Sequence, residues 1–291
     1  MRLVSFGKAG NERPGVLVEG GILDLHAHAP ELGSVRAILA AERLDDVRRV
    51  VRSIVAAAAP VPVEGTRLGP PIPDPSKILC IGLNYADHAA EQDRPLPKAP
   101  LVFAKAPSAL IGNGDTIVLP AHEERVDVEA ELAVVIGRRA RHVTAGSALD
   151  HVAGYMCFND VSGRAAQYSD RQWFRGKSFD TFAPCGPWLV TRDEIQDAHA
   201  LAIGSQWNGR VMQQSNTNQL VFGIPQLIEY ISRGITLMPG DIIATGTPAG
   251  VGVFRDPPVF LADGDHVEIS IEQLGTLSNP VRAESIHPRA R

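Results

Sequence analysis

Two carboxylates two residues apart, Glu129 and Glu131, lie in the run Asp127-Val-Glu-Ala-Glu-Leu-Ala-Val-Val-Ile-Gly137, a β-branched stretch where a buried strand ordinarily carries no acid. In an extended chain, side chains at i and i+2 share a face about 7 Å apart, so both carboxylates can converge on one divalent cation. The same spacing serves a half-exposed strand with a solvated acidic face. Against that use, Glu131 is followed directly by Leu-Ala-Val-Val-Ile, so the solvated face ends inside the most apolar part of the strand. A third acid, Asp160, closes the apolar run Val152-Ala-Gly-Tyr-Met-Cys-Phe-Asn-Asp160 where a strand meets a loop. It can complete a metal site or serve as ordinary turn chemistry. His88 and Glu91 stand at i and i+3 of a helix-compatible segment. That spacing lets Glu91 hold one imidazole nitrogen and leave the other free as a base, and it equally fits a solvated surface pair. Lys177, set among aromatics in Trp173-Phe-Arg-Gly-Lys-Ser-Phe, reads as a partly desolvated cation.

The elements that must carry these residues are short. Residues 3 to 25 alternate as small strands around polar turns, and residues 34 to 59 carry a helical apolar pattern. Six prolines between Pro60 and Pro75 then prescribe an extended linker, which places a domain boundary near residue 70. Beyond it, Lys77-Ile-Leu-Cys-Ile-Gly reads as a strand that delivers the His88 segment. Asn208-Gly209 predicts a tight hairpin, and residues 222 to 232 predict an amphipathic helix. Thr245-Gly-Thr-Pro-Ala-Gly-Val-Gly252 follows a strand but lacks the Gly-Lys-Ser/Thr ending of a phosphate loop. Gripping a small carboxylate through its backbone is the better use of it.

With 291 residues the chain can bury a large core with a small companion. A net charge of −5 and scattered histidines leave no basic footprint, which excludes nucleic acid as a partner. The N-terminus breaks too early for a signal sequence and no apolar run spans a bilayer, so a soluble, cytoplasmic protein without a membrane partner is expected. Cys80, Cys157 and Cys185 are unevenly spaced, which argues for buried thiols rather than a disulfide or zinc framework.

Taken in order, Ile81-Gly-Leu-Asn-Tyr-Ala-Asp-His-Ala-Ala-Glu91, Val128-Glu-Ala-Glu-Leu-Ala-Val-Val-Ile-Gly137, Gly154-Tyr to Asn159-Asp160, Gly176-Lys-Ser-Phe-Asp180 and Thr245 to Gly252 resemble the signatures of the fumarylacetoacetate hydrolase superfamily. The resemblance runs from Lys77 to about Arg282. It implies a β-rich mixed α/β (α+β) fold, with a mixed β-sheet roll over residues 71–291, a small N-terminal α/β domain over residues 1–70, and a homodimer. It further implies that Glu129, Glu131 and Asp160 ligate the metal, that His88 and Glu91 form a dyad, that Lys177 is a substrate-side cation, and that Arg164, Gln167 and Thr247 contact substrate. The family commonly has Ala-Arg-Asp where this chain has Gly163-Arg-Ala165. An oxygen-only ligand set suits Mg²⁺ or Mn²⁺ rather than zinc. The reaction expected is hydrolytic cleavage of a carbon–carbon bond in a 2,4-dioxo acid of acylpyruvate type, giving pyruvate and a carboxylic acid. The bacterial branch acting on sugar-acid or aromatic breakdown products is the nearer likeness. Rival expectations are an isomerase or decarboxylase of 2-hydroxydienoates or 2-oxo diacids, and a non-catalytic binding module on the same fold.

Overall fold

The computed structural model describes residues 1–285. It is a mixed α/β fold dominated by strands. The acid-bearing strand, Ala130–Ile136, lies inside the larger sheet, antiparallel to Val152–Asn159 on one side and to Ile242–Ala244 on the other. Every residue of it is buried, which removes the half-exposed alternative for Glu131. Leu132, Val134 and Ile136 pack into one core cluster, whereas Ala133 and Val135 pack into a second, so the strand is covered on both faces. The extended run expected from Asp127 to Gly137 is interrupted. Val126–Asp127 forms a separate short pairing with Ser162–Gly163, and Glu129 sits in the break between the two strands.

From Ile242–Ala244 the sheet continues in parallel to Ile78–Gly82 and then antiparallel to Leu101–Lys105. In the other direction Val152–Asn159 pairs with Ala183–Thr191, which pairs with Arg2–Phe6 and so recruits the N-terminal strands to the same sheet. A second sheet orders Arg210–Asn216, Ala202–Trp207, His266–Ile271, Gly275–Ala283 and Ile117–Leu119. Its inward residues Ile203, Val267, Ile269, Ile271 and Leu277 close one core cluster together with Leu227, Ile228 and Ile231 of the helix Ile224–Ser232.

The hairpin forms as its dipeptide requires, with Asn208 at φ 51° and Gly209 at φ 77°. The helical pattern of residues 34–59 resolves into two helices, Val35–Ala40 and Leu44–Ile54, because Glu42 turns left-handed at φ 54° between them. The three cysteines are buried and unpaired. No helix among the described residues is long and apolar enough to cross a membrane.

Candidate active site

The ends of several strands meet at a cavity of about 270 Å³ whose wall includes His88, Glu129, Glu131, Arg164, Lys177 and Thr247. Glu129, Glu131 and Asp160 are all buried, and each offers a carboxylate oxygen within 4.8 Å of the others. Three segments deliver them: the break before Ala130–Ile136, that strand itself, and the end of Val152–Asn159. Their convergence is fixed by pairing, since the Asp160 N–H donates to the Glu129 carbonyl at 2.9 Å and Glu131 lies opposite Phe158.

Around the triad, buried bases and acids alternate in a single row. Lys105 Nζ donates to Asp160 Oδ1 at 2.5 Å, and Lys177 Nζ bridges Asp160 Oδ2 (2.7 Å) and Glu129 Oε2 (2.8 Å). Arg164 Nη1 then meets Glu129 Oε1 at 2.8 Å, and its Nε and Nη2 meet Asp127 Oδ2 at 3.0 and 2.6 Å. Lys105, Lys177 and Arg164 thus balance Asp160, Glu129 and Asp127, one for one. Glu131 is the acid left over. Its Oε2 accepts only the Gly246 N–H, at 2.8 Å, and it makes no ion pair among the described residues. Burial, reinforced by Asp160 and Glu129, pushes the Glu131 carboxyl well above the ordinary range. Burial also acts to raise Glu129, but Lys177 and Arg164 outweigh it and hold that carboxyl low. Lys177 resists the loss of its proton that burial favours because Asp160 and Glu129 flank it.

This donor set fits a hard divalent cation: three carboxylates, no nitrogen or sulfur, and one of the three without a basic partner among the described residues. Glu129, Glu131 and Asp160 are the residues that could hold it.

His88 is 6% exposed on the helix Ala86–Glu91. Its Nδ1 lies 2.8 Å from Glu91 Oε2, and the Gln92 amide nitrogen lies 2.9 Å from its Nε2. Glu91 as a carboxylate can only accept, so Nδ1 carries the proton. Nε2 is then the acceptor for Gln92 and the basic atom. Phe254 covers the imidazole, ring centroids 5.7 Å apart. Glu91 is itself fixed, for its Oε1 accepts the Gly250 N–H at 2.8 Å.

The glycine loop does grip carboxylates, as its sequence suggested, but they are the protein's own. Gly246, Gly250 and Gly252 donate to Glu131, Glu91 and Asp127 respectively. Backbone conformation demands glycine at two of these positions: Gly250 has φ 106° and a Cβ there would lie 2.2 Å from the Met212 carbonyl, and Gly246 has φ 110°; at Gly252 close packing demands it.

All the residues singled out from the sequence line this cavity or, as with Asp160 and Glu91, support it from behind. Arg164 is fully engaged by Asp127, Glu129 and Gln167, whose Oε1 accepts from it at 3.0 Å. The Thr247 hydroxyl accepts from Gln213 Nε2 at 2.7 Å. Where the family commonly has an acid, at Ala165, the two oxygens of Glu123 accept the Ala165 and Ala166 N–H groups at the start of the helix Arg164–Ser169. Lys105, Gln92 and Asp127 were not anticipated. A lysine closing a strand reads as a surface residue, and only the buried neighbour Asp160 reveals its place.

The profile described as Fumarylacetoacetate (FAA) hydrolase C-terminal matches residues 77–282. The chain belongs to the fumarylacetoacetate hydrolase family. Among relatives in this family, a mitochondrial oxaloacetate tautomerase of Bos taurus is 46% identical over 288 residues, covering 97% of this chain and 91% of that protein. A fumarylacetoacetate hydrolase from Exiguobacterium antarcticum superposes with a TM-score of 0.86 at 36% identity, covering 98% of this chain and all of that one. Maleylpyruvate hydrolase from Sphingobium sp. SYK-6, solved in complex with manganese(II) ion and pyruvate, superposes with a TM-score of 0.81 at 33% identity over the same shares.

Proposed function

We propose that this family member is a divalent-metal-dependent enzyme that interconverts the keto and enol forms of a small 2-oxo diacid of the oxaloacetate type. The observation that carries the reading is His88, held at Nδ1 by Glu91, in the wall of a cavity of about 270 Å³ that also holds two of the three clustered carboxylates. Likeness to oxaloacetate tautomerases over nearly the whole of both chains supports that substrate class. Mg²⁺ or Mn²⁺ held by Glu129, Glu131 and Asp160 supplies Lewis-acid polarisation of the 2-oxo group when bound.

The chain's own residues do the rest. Gln92 releases His88 Nε2, which takes the proton from C3 of the keto acid. Glu91, already paired to Nδ1, stabilises the imidazolium that results. Lys177, in the cavity wall, is the cation that would donate to the 2-oxo oxygen as negative charge gathers there. Return of the proton from His88 to that oxygen gives the enol, and the reverse sequence gives the keto form. Phe254 and Trp173 supply aromatic surface to the cavity wall.

A second reading is favoured by the likeness to maleylpyruvate hydrolase. In it His88 takes a proton from water, the hydroxide adds to C4 of a 2,4-dioxo acid, and the C3–C4 bond breaks with C3 reprotonated, releasing pyruvate and a carboxylic acid. Isomerisation or decarboxylation of related 2-oxo diacids uses the same base. The proposal includes a homodimer, to be checked by light scattering, and a small lobe, residues 1–70, set beside the catalytic lobe of residues 71–291.

The deciding experiment follows loss of enol-oxaloacetate absorbance with added Mg²⁺, in parallel with pyruvate release from a panel of acylpyruvates. Wild type should accelerate the first, and His88→Asn should lose about 10²–10⁴-fold, the usual contribution of a positioned general base. Pyruvate release without oxaloacetate turnover would replace the first reading by the second. Turnover undiminished in His88→Asn would refute both.

A further inference from the structure

Asp127 is entirely buried and is not itself part of the cavity wall. Its two oxygens nevertheless collect hydrogen bonds from three separate parts of the chain. Oδ1 accepts the N–H groups of Val128 and Gly252, each at 2.8 Å, and Oδ2 accepts Arg164 Nε and Nη2 together with the Val253 N–H at 3.0 Å. Val128 leads into the acid pair. Arg164 reaches on to Glu129. Gly252 and Val253 belong to the loop whose Gly250 N–H holds Glu91, which in turn holds His88.

We propose that Asp127 is a positioning residue that sets the orientation of the His88 imidazole through the 250–253 turn, and ties that turn to the carboxylate cluster through Arg164. An aspartate is needed for this because five donors converge on two oxygens. An amide presents one oxygen and an NH₂ group, so at least two of those donors would face another donor whichever way it is turned. The Gly252 position leaves the loop no slack to compensate, since a Cβ there would come within 2.7 Å of Asp127 Oδ1 and 2.1 Å of the Val259 carbonyl. The charge matters as well. Arg164 is buried, and its guanidinium is shared between Asp127 and Glu129. With Asp127 neutral, the guanidinium is drawn onto Glu129 alone.

The inference rests on the proton-transfer role proposed for His88, so its test has an arm that needs no turnover. In protein carrying ¹⁵N-labelled histidine, wild type should show His88 as a single Nδ1–H tautomer. Asp127→Asn should give mixed tautomers or a broadened Nδ1–H signal, with the fold verified by its melting curve. In the kinetic arm Asp127→Asn should lower kcat about tenfold or more with KM changed less, and the same change in a Glu91→Gln background should cost under about threefold, because the two act in series. Should Asp127→Asn not fold, Val253→Pro removes one loop donor while leaving the carboxylate intact, at a helix start where proline is tolerated. It should move the same His88 signals. Unchanged imidazole signals in a folded variant, or losses that multiply in the double mutant, would overturn the proposal. If no 2-oxo acid is turned over at all, the imidazole signals alone decide it.

Discussion

Replacing Glu131 by glutamine should make the metal-free protein more stable at a pH where Glu131 is ionised, and at the same time abolish its response to Mg²⁺. Glu131 is the one acid of the cluster that no base balances, and its neighbours' oxygens lie within 4.8 Å. Once Glu131 is ionised, at a pH above its raised folded value, two unit charges at that separation repel by about 3 kcal/mol at an effective dielectric constant of ~20. Lys177 is already shared by Glu129 and Asp160, so Glu131 gains little relief from it. Glutamine keeps the shape and can still accept the Gly246 N–H. Relief of about 3 kcal/mol corresponds to a rise in melting temperature of about 5 °C for a chain of this size. In wild type, Mg²⁺ at about 100 times its dissociation constant should add about 2.7 kcal/mol, and the variant should gain almost none. Thermal melts at such a pH, with chelator and with Mg²⁺, read both effects. A variant that melts below wild type in chelator, or that gains as much from Mg²⁺, would refute the charge assignment.

The raised Glu131 carboxyl also has a pH signature. Because its folded value lies above its unfolded one, its contribution to metal-free stability is fully present below the unfolded value and is lost as pH rises through the folded one. Ligation needs the carboxylate, so Mg²⁺ uptake in that window should release a proton and tighten as pH increases. Calorimetry in buffers of differing protonation enthalpy measures the release, and buffer-independent heats would exclude it. Lys105→Met should destabilise the protein by about 3 kcal/mol or more, since it leaves a buried carboxylate oxygen of Asp160 without its partner. Urea unfolding checks this, and a loss below about 1 kcal/mol would mean that Lys177 alone neutralises Asp160.

The cluster of acids was legible because their spacing conflicts with their setting: Glu131 within an otherwise apolar strand has few uses other than holding charge. The Asn208-Gly209 turn and the helix near residues 222–232 were legible for local reasons, a dipeptide suited to positive φ and a period of 3.6. What escaped is non-local. Lys105 meets Asp160 across 55 positions, and Asp127 meets Gly252 across 125, so neither carries a signal in its own neighbourhood. The break at Glu42 escaped for a different reason. The apolar period runs on through it, and only packing of Leu39 and Val47 into one cluster makes two helices better than one. Gln92 carries no signal of its own in the sequence, yet its amide meets Nε2 of His88.

Three backbone N–H groups of one turn serve an acid of the cluster, the partner of the base and the anchor of Arg164. A shift of that turn is felt by all three at once, so drift in the deep wall is penalised whatever the substrate. The rim is under no such obligation: Tyr168 and Phe254 are about half exposed, and the segment that brings Arg94 to the opening is solvent-facing. Divergence among relatives towards new acids should accordingly be written into the rim, while the floor stays the same.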